Sequence, residues 1–277
     1  MIIRTTTIQP RNDCAGDRQS PPDDGQRIAC RGFCRACGRD HLLRDSGTHR
    51  HALALMEHLR RYRSVDLSAG TTRPDARCGT DWLYGEARGK MFGVLECRDG
   101  DGSIVVLRAF SGQYNGLWEI DGWAPPLFDS RQLEEISHAA EREIKRLGRE
   151  MAAAGSPMQR LELQRRRRQL SQRLMIQIHS LYRLRNFRGE VSSLHDAFTG
   201  SGGIPTGSGD CCAPKLLNHA ARSGLTPLGM AEFFWGRSNR SGGREEGRIY
   251  PSCREKCAPI LGFLLCGLEG PSPGHAA

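Results

Sequence analysis

Apolar residues repeat along the chain with two different periods, and each period predicts a different kind of element. "KMFGVLEC" and "SIVVLRAF" are apolar runs joined by "RDGDG", whose Asp and Gly residues suit a tight turn, so the two runs predict a β-hairpin. "PLGMAEFFWG" predicts a further strand. "HALALMEHLRRY" instead places Leu53, Met56 and Leu59 three residues apart, which predicts a short amphipathic helix.

From Ser130 to about Phe187 the apolar period is helical. One stripe consists of Ile136, Ala140, Ile144, Leu147 and Met151, and a second of Leu170, Leu174, Ile178 and Leu181. Between the stripes, "AAGSP" offers a stop, an N-cap in Ser156 and a first-turn proline in Pro157. We therefore expect a long antiparallel helical hairpin inserted at about residues 130–188.

Two more apolar segments predict helices that begin beside cysteines. "GIPTGSG" reads as a flexible loop that delivers Asp210, Cys211 and Cys212 to one helix N-terminus, and "YPSCREKCAPILGFLLCG" puts Cys253 and Cys257 on the first turn of another. A helix N-terminus lowers the pKa of a thiol and favours the thiolate. These four cysteines are candidate ligands of one Zn²⁺, and buried thiols without a metal are the alternative.

A second cysteine group lies near the N-terminus, in "CRGFCRACGRDHLL". Its CxxC spacing followed by glycine is the turn that lets two thiolates face one Zn²⁺. The candidate ligands of this second metal are Cys30, Cys34, Cys37 and His41, and His49, His51 and Cys78 are further candidates. The CxxxCxxC spacing also matches an iron–sulfur motif, and unliganded surface cysteines are a third interpretation.

Charge and composition narrow the classes of partner. The chain has 277 residues and a net charge of +9, which favours a polyanion such as nucleic acid. It contains no apolar run of about twenty residues and no signal-peptide core, so we expect a cytoplasmic protein without a membrane partner. Eleven cysteines in a reducing compartment suit metal binding or buried thiols better than disulfides.

The positive charge concentrates on the second long helix and on the residues just after it. Very few acidic residues lie nearby, so charge pairing along the helix cannot balance it. A solvated basic face is the alternative to nucleic-acid contact. The candidate RNA-binding residues are Arg165, Arg166, Arg167, Arg168, Arg173, Arg183 and Arg185.

These elements predict an α+β fold, with a small mixed sheet, packed helices, the inserted helical hairpin and a short N-terminal Cys/His knuckle. The order hairpin, cysteine helix, strand, cysteine helix is similar to the layout of zinc-dependent deaminases. In that fold a Glu two residues after the first ligand is the general acid/base, whereas Ala213 stands two residues after Cys211. Asp210 is the remaining candidate for a catalytic carboxylate.

The same elements divide the chain into four parts. We expect a disordered tail over residues 1–29, a zinc-knuckle-like segment with a short helix over 30–79, an α+β domain over 80–268, and a linker-like tail over 269–277.

Three long segments resemble the N-terminal extension of bacterial RluA-type RNA pseudouridine synthases. They are "GKMFGVLECRDGDGSIVVLRAFSGQYNGLWEIDGWAPPLFD", "GIPTGSGDCCAPKLLNHAARSGLTPLGMAEFFWG" and "YPSCREKCAPILGFLLCGL", within about residues 80–268. In that family the extension precedes a catalytic domain with a nucleophilic Asp in a His-Arg-Leu-Asp type motif. "THRHA" has His-Arg without the Asp, and "GLEGPSPGHAA" stands where the synthase domain would begin.

The resemblance and the residues leave three functions open. The first is an RNA-binding accessory module of an RNA-modification enzyme, stabilised by zinc and not itself catalytic, with rRNA or tRNA as partner. The second is a zinc-dependent deaminase acting on a nucleobase or nucleoside. The third is a protein that docks on a separately encoded pseudouridine synthase catalytic domain.

Overall fold

The computed structural model describes residues 27–68 and 75–268. Within these residues the α+β class is confirmed, with six α-helices and small antiparallel sheets. Most of the expected N-terminal tail and all of the expected C-terminal tail lie outside the described residues. The strands are β1 (Ile28–Cys34), β2 (Arg39–Arg44), β3 (Lys90–Arg98), β4 (Ile104–Phe110), β5 (Arg183–Arg185), β6 (Val191–Ser193), β7 (Thr226–Trp235) and β8 (Ile249–Tyr250). The helices are α1 (His49–Tyr62), α2 (Ser130–Ala153), α3 (Pro157–Leu181), α4 (Leu194–Ala197), α5 (Cys212–Arg222) and α6 (Ala258–Leu265).

The largest sheet has the strand order β4-β3-β7-β8. Phe92 of β3 lies opposite Phe110 of β4 on one side and Phe233 of β7 on the other. The sequence predicted a mixed sheet, but all pairings between the described strands of this sheet are antiparallel. The reason is that β7 runs antiparallel to β3, and β8 then returns against β7 after a loop, so that no pair in this sheet is joined by a parallel crossover.

The two faces of this sheet bury different residues because neighbouring side chains on a strand point to opposite sides. On the outer face, Phe92, Val94 and Phe233 pack with buried residues of α1. On the inner face, Leu95 and Met230 pack with α5 and α6. The sheet is thus covered by a helix on one side and by a helix pair on the other, and the chemically distinctive side chains lie on the inner side.

The aromatic segment after β4 packs over the outer face. Tyr114 is fully buried and Trp123 is 6% exposed, and both make edge-on ring contacts with Phe92 or Phe110. Both rings are therefore part of the outer core and are too deeply buried to stack on bases.

Two helices differ from their predicted limits or faces. The apolar stripe of α1 was expected to include Leu53, but Leu53 is 55% exposed and the buried residues are Ala52, Leu55, Met56 and Leu59.

The predicted helix with Cys253 on its first turn begins later, at Ala258. Before the helix, a turn forms in which the Ala258 N–H donates a hydrogen bond to the Cys253 carbonyl. Pro259 then occupies the first turn of α6.

The helices α2 and α3 pack on each other after the stop at Ala154, and Ser156 caps α3 as predicted by accepting a hydrogen bond from the Gln159 N–H. Only a minority of the predicted stripe residues is buried. Ile144 and Leu147 are buried on α2, and Leu174 is buried on α3. Most of the surface of this pair therefore faces solvent. None of the described helices is long and apolar enough to cross a membrane.

The N-terminal hairpin β1–β2 packs tightly on α6 through two glycines. A Cβ added to Gly262 would lie 2.1 Å from the carbonyl carbon and oxygen of Phe33, and one added to Gly32 would lie 2.4 Å from the Gly262 nitrogen. The backbones of β1 and α6 are thus in direct contact. Residues 30–79 consequently share the inner and outer cores with the segment that begins at residue 80.

Candidate functional site

Four potential metal ligands meet beside the β1–β2 hairpin. Their ligand atoms all lie within 4.8 Å of one another, and they belong to Cys34, Cys37, His41 and Cys266. We call this group the metal centre. Among the described residues, it is the one group of metal-ligating side chains gathered that closely.

The hairpin forms three of these positions from local sequence. Cys34 ends β1, and the Gly38 N–H donates a 2.9 Å hydrogen bond to the Cys34 carbonyl. Gly38 has φ +70°, a conformation that glycine adopts without steric cost. This turn presents Cys37, and β2 then brings the His41 Nε2 to 3.0 Å from the Cys37 sulfur.

The fourth position comes from the other end of the described chain. Cys266 follows α6 directly, and the close approach of Gly262 to β1 brings it to the hairpin. Sequence reasoning missed it because no spacing rule connects Cys266 to the knuckle. Its one sequence signal is that it ends the cysteine-containing apolar segment "YPSCREKCAPILGFLLCG".

The other predicted ligands of this metal lie elsewhere. Cys30 is buried in the inner core, where burial raises the pKa of its thiol, and it is not part of the metal centre. His49 pairs with Asp45 at 3.3 Å and His51 contacts Glu96 at 2.9 Å. Cys78 is buried in the outer core.

The thiols of the metal centre differ in acidity. Burial opposes ionisation of Cys37, but hydrogen bonds from the Arg39 backbone and from neighbouring thiols outweigh it and lower its pKa. Burial raises the pKa of Cys266 to about 12. Three sulfurs and one imidazole are a donor set that could hold a metal ion, and bound metal would favour the thiolate form of each cysteine.

A second set of thiols lies on the inner face of the sheet. Cys211 is the N-cap of α5, Cys257 precedes α6, and Cys253 lies in the turn before it. Each of these three thiols interacts with the other two. We call them the thiol trio. The structure separates Cys212 from them, because its sulfur donates to the Met91 carbonyl at 3.3 Å.

The pKa values of the trio differ from the sequence expectation, which was a lowered pKa at the start of α5. The interaction with Cys253 raises the pKa of Cys211, and burial raises that of Cys212. The thiol with the lowered pKa is Cys253, because Cys211 and Cys257 both hydrogen-bond to it. These opposite shifts arise from hydrogen bonds among the three thiols, and not from the helix start alone.

Two buried charged groups, Glu232 and Lys215, and the half-buried Asp210 lie around the thiol trio. Asp210 accepts a 2.6 Å hydrogen bond from the Tyr182 hydroxyl, and burial raises its pKa. Burial also raises the pKa of Glu232 to about 7, while the Ser252 hydroxyl donates to it at 2.6 Å. The ammonium of Lys215 donates to the carbonyls of Phe110 and Gly112, and burial lowers its pKa to about 8. Sequence reasoning had singled out only Asp210.

The candidate RNA-binding arginines lie on α3 and on β5. All of them are exposed except Arg167, which is half-buried. Arg166 lies 3.4 Å from Glu143 of α2, and the other six have no acidic partner among the described residues. Those six are Arg165, Arg167, Arg168, Arg173, Arg183 and Arg185.

A groove of about 660 Å³ lies at the base of the helical pair. It combines the exposed apolar side chains of Ile176 and Val191 with the basic groups of Arg183 and two histidines, His179 and His195. Because the groove begins one turn beyond Arg173, the basic surface of α3 continues into it.

Comparison with protein-family models, with curated proteins and with solved structures finds no match to this chain.

Proposed function

We propose that this chain is an RNA-binding accessory module, held together by zinc at the metal centre and acting beside an RluA-type pseudouridine synthase domain. The observation that carries the proposal is the uncompensated positive charge of α3. This helix has six arginines and one acidic residue, whereas the neighbouring α2 has five basic and five acidic residues. A solvated helix face of this length normally balances its basic residues with acidic ones. The arginines of α3 are not balanced in this way, so they are free to contact phosphates.

The contrast between the two helices extends to their ion pairs. On α2, Arg146 binds Glu143 and Glu150, and Lys145 lies 3.8 Å from Glu141. On α3, only Arg166 has an acidic neighbour among the described residues, and Glu143 already holds Arg146. The basic residues of α2 are thus partly neutralised where those of α3 are not.

The metal centre lies next to the base of this basic surface. The Phe187 N–H donates a 3.0 Å hydrogen bond to the Cys266 carbonyl, and Phe187 follows β5 closely in the chain. Zinc is the metal that best fits three sulfurs and one imidazole in a closed tetrahedral site. Bound there, it would join the hairpin, the end of α6 and the segment that leaves the helical pair.

RNA affinity measured against salt concentration tests the proposal. The test variant replaces Arg165, Arg166, Arg167 and Arg168 with Gln, and a matched control removes the same charge from α2 by replacing Arg142, Lys145, Arg146 and Arg149 with Gln. The slope of log K against log salt falls by roughly 0.7 to 0.9 for each phosphate that the protein no longer neutralises. We expect the α3 variant to lose about two to four units of slope, and the α2 variant to lose less than about one.

Equal losses in the two variants would mean that net charge alone drives binding, which would contradict a specific role for α3. No salt-dependent RNA binding by the unmodified chain would reject the proposal. The narrower link to pseudouridylation is tested by adding the chain to a separate RluA-type catalytic domain. An unchanged rate of uridine isomerisation there, together with RNA binding by the chain, would leave the RNA-binding module without the accessory role.

A further inference from the structure

The thiol trio joins two helix starts that are far apart in sequence. Cys211 caps α5, and Cys253 and Cys257 lie in the turn that leads into α6. The side chains of all three interact with one another on the inner face of the sheet. Single free cysteines are common in apolar cores, but three thiols that meet from separate elements also form a set of donors that a soft metal ion can bind.

Both helix starts favour negative charge at this place. The positive end of the helix dipole lies at a helix N-terminus, and Cys211 and Cys257 occupy the N-cap positions of α5 and α6. The Lys256 N–H lies 3.5 Å from the Cys253 sulfur and is in position to donate to it. Thiolates, the form that metals bind, are therefore stabilised by the backbone itself.

A buried carboxylate adds negative charge beside the thiol trio. Glu232 is 4% exposed, enters from β7 and interacts electrostatically with Cys211, Cys253 and Cys257. It accepts a hydrogen bond from the Ser252 hydroxyl, and it also interacts with the Ala213 backbone and with the charge of Arg244. A cation bound by the three thiols would offset the negative charge of this carboxylate as well.

We propose that the thiol trio is a second zinc site, separate from the metal centre, in which Cys211, Cys253 and Cys257 are the three protein ligands. Thiolate ligands select zinc over the harder divalent cations. The three sulfurs are gathered less tightly than the four atoms of the metal centre, so binding draws them together toward the roughly 2.3 Å zinc–sulfur distance. The fourth coordination position is open to water or to a ligand, as in zinc sites that activate water.

The chain supplies a matched control for this site. Cys212 is adjacent to Cys211 in sequence and fully buried, but its sulfur points to the Met91 carbonyl and its Cβ packs against Gly93. A serine at position 212 removes a buried thiol without removing a ligand of either proposed metal.

Zinc content of the purified full-length chain, measured by elemental mass spectrometry, tests the proposal. We expect about two zinc ions per chain in the unmodified protein and in Cys212→Ser, and about one in Cys253→Ser and in Cys34→Ser. Cys253→His, which replaces one zinc ligand by another, is expected to retain the second ion. The double variant Cys34→Ser, Cys253→Ser is expected to retain neither.

The zinc counts also separate this proposal from the zinc of the metal centre. About one zinc ion per chain that is lost in Cys34→Ser and kept in Cys253→Ser would overturn the second site and leave the first. Loss of the second zinc ion in Cys212→Ser as well as in Cys253→Ser would show that folding, and not ligation, controls its retention, which would overturn the proposal as well. RNA affinity is measured separately, so its failure bears only on the proposed function.

Discussion

The backbone contact between β1 and α6 makes Gly262→Ala a sharp test of how the metal centre is assembled. The added Cβ would lie 2.1 Å from the Phe33 carbonyl carbon and oxygen and 2.6 Å from the Cys34 nitrogen. Ordinary contact begins near 3.4 Å, so the two elements must separate by about 1.3 Å. Backbone atoms cannot rotate away from the clash, and the whole helix or the whole hairpin has to move.

The separation changes both stability and metal binding. Overpacking of a tight core costs roughly 1–3 kcal/mol when side chains can adjust, and a clash with backbone belongs at or above the upper end of that range. We therefore expect Gly262→Ala to lower the free energy of unfolding by about 3 kcal/mol or more. Because Cys34 and Cys266 lie on the two elements that separate, the variant should also lose zinc from the metal centre.

Chemical denaturation and elemental analysis of the same preparation measure the two effects. Gly148→Ala is the control, because Gly148 lies inside α2 with no atom within 4 Å of the added Cβ. In a helix interior that change should stabilise the protein by about 1 kcal/mol. Wild-type stability and zinc content in Gly262→Ala would refute the direct contact between β1 and α6.

Two further predictions concern buried polar groups near the start of α5. Burial lowers the pKa of Lys215 to about 8 from 10.5, so the unfolded chain binds this proton more tightly and stability rises with pH between these values. Relative to Lys215→Met, the unmodified protein should gain about 2–3 kcal/mol in unfolding free energy between about pH 7 and about pH 10; a difference that stays constant with pH would contradict this. Tyr182→Phe removes the 2.6 Å hydrogen bond from the buried Tyr182 hydroxyl to the half-buried Asp210 and should cost about 1–3 kcal/mol in urea denaturation. Tyr84→Phe, which removes a 3.0 Å hydrogen bond from an exposed tyrosine to Glu246, should cost less than half as much, and equal costs would argue against a shielded Tyr182–Asp210 bond.

Local sequence determined most of the secondary structure. The spacing of apolar residues and the identity of turn residues depend only on neighbouring positions in the chain. They were therefore enough to predict the β3–β4 hairpin, β7, the long helices α2 and α3, and the cap at Ser156. The CxxC turn followed by Gly38 is local in the same sense, and it placed Cys34, Cys37 and His41 correctly as neighbours. The start of α6 was misplaced because a turn and a first helical turn have similar sequence patterns, and only the proline position distinguishes them.

Tertiary structure decided which residues from distant segments meet. The direction of β7 against β3 made the sheet antiparallel, and the glycine contact between β1 and α6 brought Cys266, instead of Cys30, to the metal centre. The same packing turned Cys212 toward the sheet and left Cys211 with Cys253 and Cys257. It also gave Glu232 and Lys215 their shifted pKa values, because burial depends on everything packed around a group. Sequence spacing fixes which residues can share a turn or a helix face, whereas contacts between separate elements follow from how their surfaces fit.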